Sequence, residues 1–207
     1  AQLTVTADTG EAAAANGTAT RTVTATLTDA GGNPLQNQPV SFTADSGPAF
    51  SGEASGTTDD NGTVTVALTS ITAGTFTVSG TATDLSLSGS AEVAFTADAS
   101  TARLIIETSS DTKTANGTDT HPVTLKVEDE QGNPLTSVHN VTLSVPADGP
   151  LFSSNNAATL STTTNSNGEL EVSLTSAVAG TFAVSARLGS NTPVSAQVRF
   201  AADILSL

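Results

Sequence analysis

Three short words recur in order along this chain, and they divide it in two. Ala15-Asn16-Gly17-Thr18 returns as Ala115-Asn116-Gly117-Thr118, and Gly32-Asn33-Pro34-Leu35 returns as Gly132-Asn133-Pro134-Leu135. Ala73-Gly74-Thr75-Phe76 returns as Ala179-Gly180-Thr181-Phe182. The offset drifts from about 100 to about 106 residues, so the second copy carries small insertions. A repeat of that length is a whole domain rather than a solenoid unit of roughly 20–50 residues. With 207 residues, the chain divides into two expected domains, 1–98 and 99–207.

Within each copy the local signal is alternation. In Thr22-Val23-Thr24-Ala25-Thr26-Leu27-Thr28 the apolar side chains point one way and the threonines the other. Val64, Val66 and Leu68 repeat the pattern, and Val123, Leu125 and Val127, then Leu170, Val172 and Leu174, repeat it in the second copy. Thr is the most frequent residue, and its β-branched side chain fits a pleated, half-exposed surface. Asn16-Gly17, Gly32-Asn33-Pro34 and Asn61-Gly62, with their counterparts Asn116-Gly117, Gly132-Asn133-Pro134 and Asn167-Gly168, punctuate the runs with residues that tolerate tight turns. The spacing predicts about seven short strands per copy, near 2–7, 18–28, 39–44, 54–58, 63–69, 75–83 and 88–96 in the first. The Ala12–Ala15 run is too short to nucleate a helix. The fold class is all-β, two antiparallel sandwiches in tandem.

The chain has no Trp, Tyr, Met or Cys, so each core must be built from aliphatic residues and seven phenylalanines. Phe42, Phe76, Phe95, Phe152, Phe182 and Phe200 are the expected core aromatics, with Phe76 and Phe182 the pair each domain can least lose. Without cysteine there is no disulfide to brace the sheets, and packing alone must hold them.

The net charge of −14 argues against partners with phosphate backbones or anionic surfaces, and nucleic acid is excluded on that ground. Residues 1–98 hold ten acids against Arg21 alone; residues 99–207 hold ten against five bases. No run approaches the ~18 apolar residues of a membrane span. The chain reads as a soluble segment of something longer, with the start at Ala1 and the apolar close Ile204-Leu205-Ser206-Leu207 both resembling cuts.

Catalytic chemistry has little to work with. His121 and His139 occur in the second copy only, and a nucleophilic triad needs a histidine between nucleophile and acid. Asp59-Asp60-Asn61-Gly62 and Asp129-Glu130 offer hard oxygen ligands of the kind Ca²⁺ takes, without the alternating carboxylates of a calcium loop. In the second copy the first cluster becomes Asn165-Ser166-Asn167-Gly168, which turn chemistry explains equally well. No cofactor and no metal are expected, and the chain is read as non-enzymatic. Polysaccharide binding, the weakest reading, would draw on exposed Trp or Tyr, and there are none. The sequons at Asn16, Asn61, Asn116 and Asn140 fall mostly on hairpin turns. Where the copies diverge, the segment after Phe152 is longer, and Ser153, Ser154, Asn155 and Asn156 are the candidate contact residues.

The ordered motifs together resemble the bacterial Ig-like group 1 (Big-1) domains of the intimin/invasin family. They are Asn-Gly-Thr before an alternating strand, Asp29-Ala30-Gly31-Gly32-Asn33-Pro34-Leu35, Thr57-Thr58-Asp59-Asp60-Asn61-Gly62, and Leu68-Thr69-Ser70 leading to Ala73-Gly74-Thr75-Phe76. Each has its counterpart in the second copy. The resemblance implies immunoglobulin-like Greek-key sandwiches in an extended rod, displayed outside a bacterial cell from an outer-membrane β-barrel that lies beyond this chain. It implies adhesion as the family's usual role, of which the spacer part alone carries over to this chain, with a monomer expected in isolation. The alternative reading is a binding module that contacts a host-cell surface protein or another copy of itself through loops or strand edges. The short joint Phe95-Thr96-Ala97-Asp98-Ala99-Ser100-Thr101-Ala102-Arg103-Leu104 lacks Gly and Pro and suits a stiff spacer. Two departures stand out. Phe replaces the Tyr common in the Ala-Gly-Thr-aromatic motif, and the cysteine-bearing receptor-binding tip of familiar members has no counterpart here.

Overall fold

Burial at every second residue defines the strands of the computed structural model, which describes residues 1–204. In Thr20–Thr28 the side chains of Arg21, Val23, Ala25 and Leu27 are buried while the threonines between them reach the surface. The same alternation runs through Gln2–Ala7 and Pro39–Ala44. The chain divides into two compact units, Ala1–Ala99 and Ser100–Leu207. Of the apolar run that closes the sequence, Leu205-Ser206-Leu207 lie outside the described residues.

The first unit has nine strands: β1 (Gln2–Ala7), β2 (Ala13–Ala14), β3 (Thr20–Thr28), β4 (Pro39–Ala44), β5 (Ala49–Phe50), β6 (Ser55–Thr57), β7 (Thr63–Thr69), β8 (Gly74–Ala82) and β9 (Leu87–Thr96). They form two sheets, β1-β3-β7-β5 and β2-β9-β8-β4-β6. The second unit repeats this with β10 (Arg103–Thr108), β11 (Thr112–Thr114), β12 (His121–Glu128), β13 (Asn140–Ser144), β14 (Leu151–Phe152), β15 (Thr159–Thr163), β16 (Glu169–Thr175), β17 (Gly180–Leu188) and β18 (Val194–Ala201). Its sheets run β10-β12-β16-β14 and β11-β18-β17-β13-β15. Consecutive strands β3 and β4, and again β7 and β8, belong to opposite sheets, as in an immunoglobulin-like sandwich.

Six strands of the first unit and seven of the second are long enough to alternate, and the three-residue β6 falls within the expected 54–58. Sequence periodicity misses β2, β5, β11 and β14 because two or three residues cannot display a period. Two of these, β2 and β11, pair parallel with β9 and β18, so the sandwiches are not wholly antiparallel. They arise because the first strand crosses from one sheet to the other after Ala7. The Ala12–Ala15 run ends up in that crossing, with Ala15 fully buried.

The first core gathers Leu3, Val5, Val23, Leu27, Val40, Phe42, Leu68, Val78, Val93 and Phe95 from both sheets. Phe152 and Phe200 are among the largest fully buried side chains of the second unit, with Leu125, Leu143 and Leu174. Phe76 and Phe182, expected to be the least dispensable, are only half-buried. Both lie near the end of their sandwich, where glycines leave room for the ring. Phe76 sits against Gly47 and Gly74 and meets Phe95 with ring centroids 6.4 Å apart, and Phe182 sits against Gly149 and Gly180. At Gly47, whose φ is +141°, both the backbone and the ring forbid a side chain.

Burial therefore reverses the order of importance. Phe152→Ala and Phe200→Ala are expected to cost the second unit about 3–5 kcal/mol each. Phe182→Ala, which opens onto solvent instead of leaving a cavity, should cost roughly half as much. Chemical denaturation of the three variants checks this, and equal losses would contradict the burial ranking.

Candidate functional site

Polar side chains in this molecule are spent first on turns. Asp29 Oδ1 accepts the backbone N–H groups of Gly31 and Asn33 at 2.8 and 2.9 Å, and its Oδ2 accepts Asn33 Nδ2 at 2.9 Å. Asp129 holds the Gln131–Asn133 turn in the same way. Asp59 Oδ1 accepts the N–H groups of Asn61 and Thr63, and Asn165 Oδ1 accepts those of Asn167 and Glu169 at 2.9 Å each. Asn16 and Asn116 fold over their own turns, each accepting the N–H and hydroxyl of the Thr two residues on. Of the acidic clusters weighed for calcium, Asp59 and Asp129 are thus committed to backbone donors. Among the described residues no three His, Cys, Asp or Glu side chains gather into a ligand set for a metal ion.

These bonds favour ionised carboxylates. Asn33, through its side-chain amide and then its backbone N–H, holds the Asp29 carboxyl below its ordinary range. The Thr63 backbone N–H does the same for Asp59 against an opposing desolvation, and the Asn116 and Thr114 side chains do so for Asp119. At Asp8, partial burial works to raise the carboxyl, but the Thr22 N–H and hydroxyl and the Arg21 guanidinium outweigh it and hold it low.

One buried basic position escaped sequence reasoning. Arg21 pairs with Asp8 at 2.6 Å and donates to the carbonyls of Asp8, Gly10 and Glu11, clasping the crossing between β1 and β2. The position two residues into the repeated Asn-Gly-Thr strand is His121 in the second unit. His121 is fully buried, with Nε2 3.1 Å from the Asp111 carbonyl and Nδ1 3.2 Å from the Pro122 carbonyl, and its ring meets Phe200 at 5.9 Å. It closes the equivalent crossing between β10 and β11. His139 is held by the Ser137 hydroxyl at 2.9 Å, and among the described residues no carboxylate hydrogen-bonds its other nitrogen, as a triad requires.

The sequence-derived contact residues Ser153, Ser154, Asn155 and Asn156 form one exposed turn directly after the buried Phe152. The turn is knit tightly. Asn156 N–H donates to the Phe152 carbonyl at 2.8 Å, Asn155 Nδ2 reaches the Thr159 carbonyl at 2.8 Å, and Asn156 adopts a φ of +53°. Ser153 and Ser154 border a surface groove of about 540 Å³, lined also by Leu160, Leu170, Glu171 and Val172. The structure brings these four residues together in one turn of the second unit.

The described chain is thus a pair of immunoglobulin-like sandwiches whose turns are held by Asp and Asn side chains. The chain belongs to the bacterial Ig-like domain (group 1) family, whose sequence profile matches residues 2–100 and again 103–201. It is 32% identical over 210 residues to the inverse autotransporter adhesin YeeJ of Escherichia coli strain K12, covering 98% of this chain and 9% of YeeJ. It is 36% identical over 165 residues to intimin of Escherichia coli O111:H-, covering 79% of this chain and 17% of intimin. The chain thus spans less than a fifth of the curated relatives it matches. In fold it resembles Yersinia pseudotuberculosis InvD, with a TM-score of 0.60 at 18% identity over 97% of this chain and 58% of that one. No helix among the described residues is long and apolar enough to cross a membrane.

The turn carboxylates set an acid limit. Each is held lower in the fold than its unfolded value of 3.8, so its stabilisation is complete above that value and is lost as pH falls through the folded pKa. Melting temperature should stay level from neutral pH down to about pH 5 and drop below about pH 4. Asp59→Asn, which installs the amide found at Asn165, should lower the neutral-pH melting temperature only by the small charge contribution and soften the acid drop. Asp59→Ala should lower it at every pH, and equal damage at pH 7 from both variants would refute the turn role.

Proposed function

We propose that this chain is a spacer and adhesion segment of a bacterial surface protein of the intimin/invasin type. Two domains, 1–98 and 99–207, would stand in series as a stiff rod and project or contribute to contact with host cells or other bacteria. The observation that carries the reading is the joint. One complete family domain ends its last strand at Thr96, and the next begins its first at Arg103. Six residues cannot act as a long flexible tether. The relatives named above, adhesins several times longer than this chain, support a place outside the cell with an outer-membrane anchor elsewhere in the protein. The work is mechanical: inter-strand hydrogen bonds and the two cores resist extension, and no catalytic role is assigned.

Strands of about eight residues at ~3.3 Å each, with their loops, give roughly 30–40 Å per domain. Small-angle scattering of the dilute chain is expected to give a maximum dimension of about 70–80 Å. A particle no longer than one domain's span plus its width would end the rod reading.

A second reading, direct protein binding, rests on the Ser153–Asn156 turn, which is exposed, rigid and longer than its counterpart in the first unit. Replacing Ser153 and Ser154 by Ala and Asn156 by Gly, which keeps the positive φ, and sparing the anchoring Asn155, should abolish attachment of chain-coated beads to host cells while the melting temperature is retained. Undiminished attachment would reject this surface.

A further inference from the structure

One strand edge in the second unit has lost the protection its counterpart in the first unit keeps. At an offset of 106, Thr58 and Thr164 make the same bonds, each hydroxyl capping the strand start it faces, which fixes the alignment of the segments before them. Glu53-Ala54-Ser55-Gly56-Thr57 therefore corresponds to Thr159-Leu160-Ser161-Thr162-Thr163. In the first unit, β6 is three residues long and is preceded by exposed Glu53. It also leans in on its neighbour: a methyl built on Gly56 would lie 2.7 Å from Val64 Cγ2. A short strand, a charge and an inward tilt are the usual means of blunting a sheet edge.

In the second unit all three are gone. β15 is five residues long, contains no charge, Gly or Pro, and pairs only with β13. The groove beside it opens where β6 had closed on β7, and Thr162 stands where Gly56 stood. The hydrogen-bond phase shows which groups face out. The Ala158 carbonyl accepts Val145 N–H and Thr164 N–H donates to the His139 carbonyl, so the even-numbered residues bond inward. Thr159, Ser161 and Thr163 present their N–H and C=O groups outward. The Thr159 carbonyl already accepts from Asn155 Nδ2, and a carbonyl can accept twice.

We propose that β15 is a docking edge for a second copy of this chain, which adds its own β15 antiparallel with Ser161 on the two-fold axis. In that register Ser161 faces Ser161, and Thr159 faces Thr163 of the other copy, so every outward group meets a complementary one. The exposed face carries Thr–Thr and Ser–Ser pairs, which are favourable across strands. Charge separates this edge from its counterpart in the first unit: although the chain carries −14, no ionisable residue lies between Thr159 and Thr163, nor on β13 beside them. The same register on β6 would bring Glu53 to the seam. A five-residue seam is small, so the contact is weak, absent from dilute solution and favoured where copies are crowded. It holds in solution whether or not the pair of domains serves as a spacer.

The chain has no native cysteine, so single substitutions report the register directly. Facing Cα atoms of a hydrogen-bonded pair lie about 5.5 Å apart, within the roughly 4.4–6.8 Å a disulfide spans. Under mild oxidation at high protein concentration, Ser161→Cys is expected to form disulfide dimers at least tenfold faster than Ser55→Cys. Thr159→Cys and Thr163→Cys should cross-link to each other when mixed and not to themselves. In sedimentation experiments the dimer fraction of the unmodified chain should fall at least tenfold in Ser161→Pro, whose lost N–H faces outward, and in Ser161→Lys, with melting temperatures retained. Cross-linking of Ser161→Cys no faster than Ser55→Cys, or a dimer that survives Ser161→Lys, overturns the proposal.

Discussion

Register is the constraint on which this molecule depends. A core without Trp, Tyr, Met or Cys has little bulk to lock one sheet against the other, so each Val, Leu and Phe must fall on the correct face of its strand. A slip by one residue would carry a whole strand's apolar set to the outside. The Asp and Asn turns prevent that slip. Asp29, Asp59, Asp129 and Asn165 each gather two backbone N–H groups at a strand end, and Asp59 and Asn165 thereby hold the first residue of the strand that follows, Thr63 and Glu169. Polar side chains that might otherwise have formed a reactive site are consumed in this role.

The alternation of β3, β7, β12 and β16 was legible in the sequence because it is a property of one strand at a time. The same holds for the turn words, since an Asx turn is built from neighbours. What sequence reading missed depends on distant segments. The short parallel pairings of β2 and β11 exist only because the chain crosses between sheets, and the clasp at Arg21 exists only because β3 passes beneath that crossing. Phe76 was overrated for a related reason. Its strand position is sound, yet the depth of its burial is set by Gly47, twenty-nine residues away, which keeps the end of the sandwich open. Of the contact residues, sequence placed Ser153–Asn156 on a loop correctly, but not the turn's anchorage to Phe152 and Thr159.

Duplication offers an internal control that a single domain lacks. Positions that keep their geometry while changing chemistry show what the fold needs there. Asp59 becomes Asn165 with the same two bonds, so the turn needs an acceptor oxygen and not a charge. Arg21 becomes His121, and both meet carbonyl oxygens of the crossing segment, so that position needs a buried donor. The arginine brings its counter-ion, Asp8, whereas His121 has a ring contact with Phe200 instead.

Positions that change geometry as well as chemistry mark where the two domains have taken different parts. The exchange of Glu53, Ala54 and Gly56 for Thr159, Leu160 and Thr162 is of this kind, since it lengthens an edge strand and removes its only charge. Neither change improves the core: Thr159 and Ser161 are exposed, and the groove beside Leu160 leaves apolar surface uncovered. A domain selected for stability alone would have kept the short, charged edge, because an open one invites unwanted pairing. Retaining the acid in one copy and losing it in the next leaves this edge of the second domain open to pairing while its counterpart in the first stays guarded. Association through that edge closes at two chains, since the isologous seam uses up the edge that formed it.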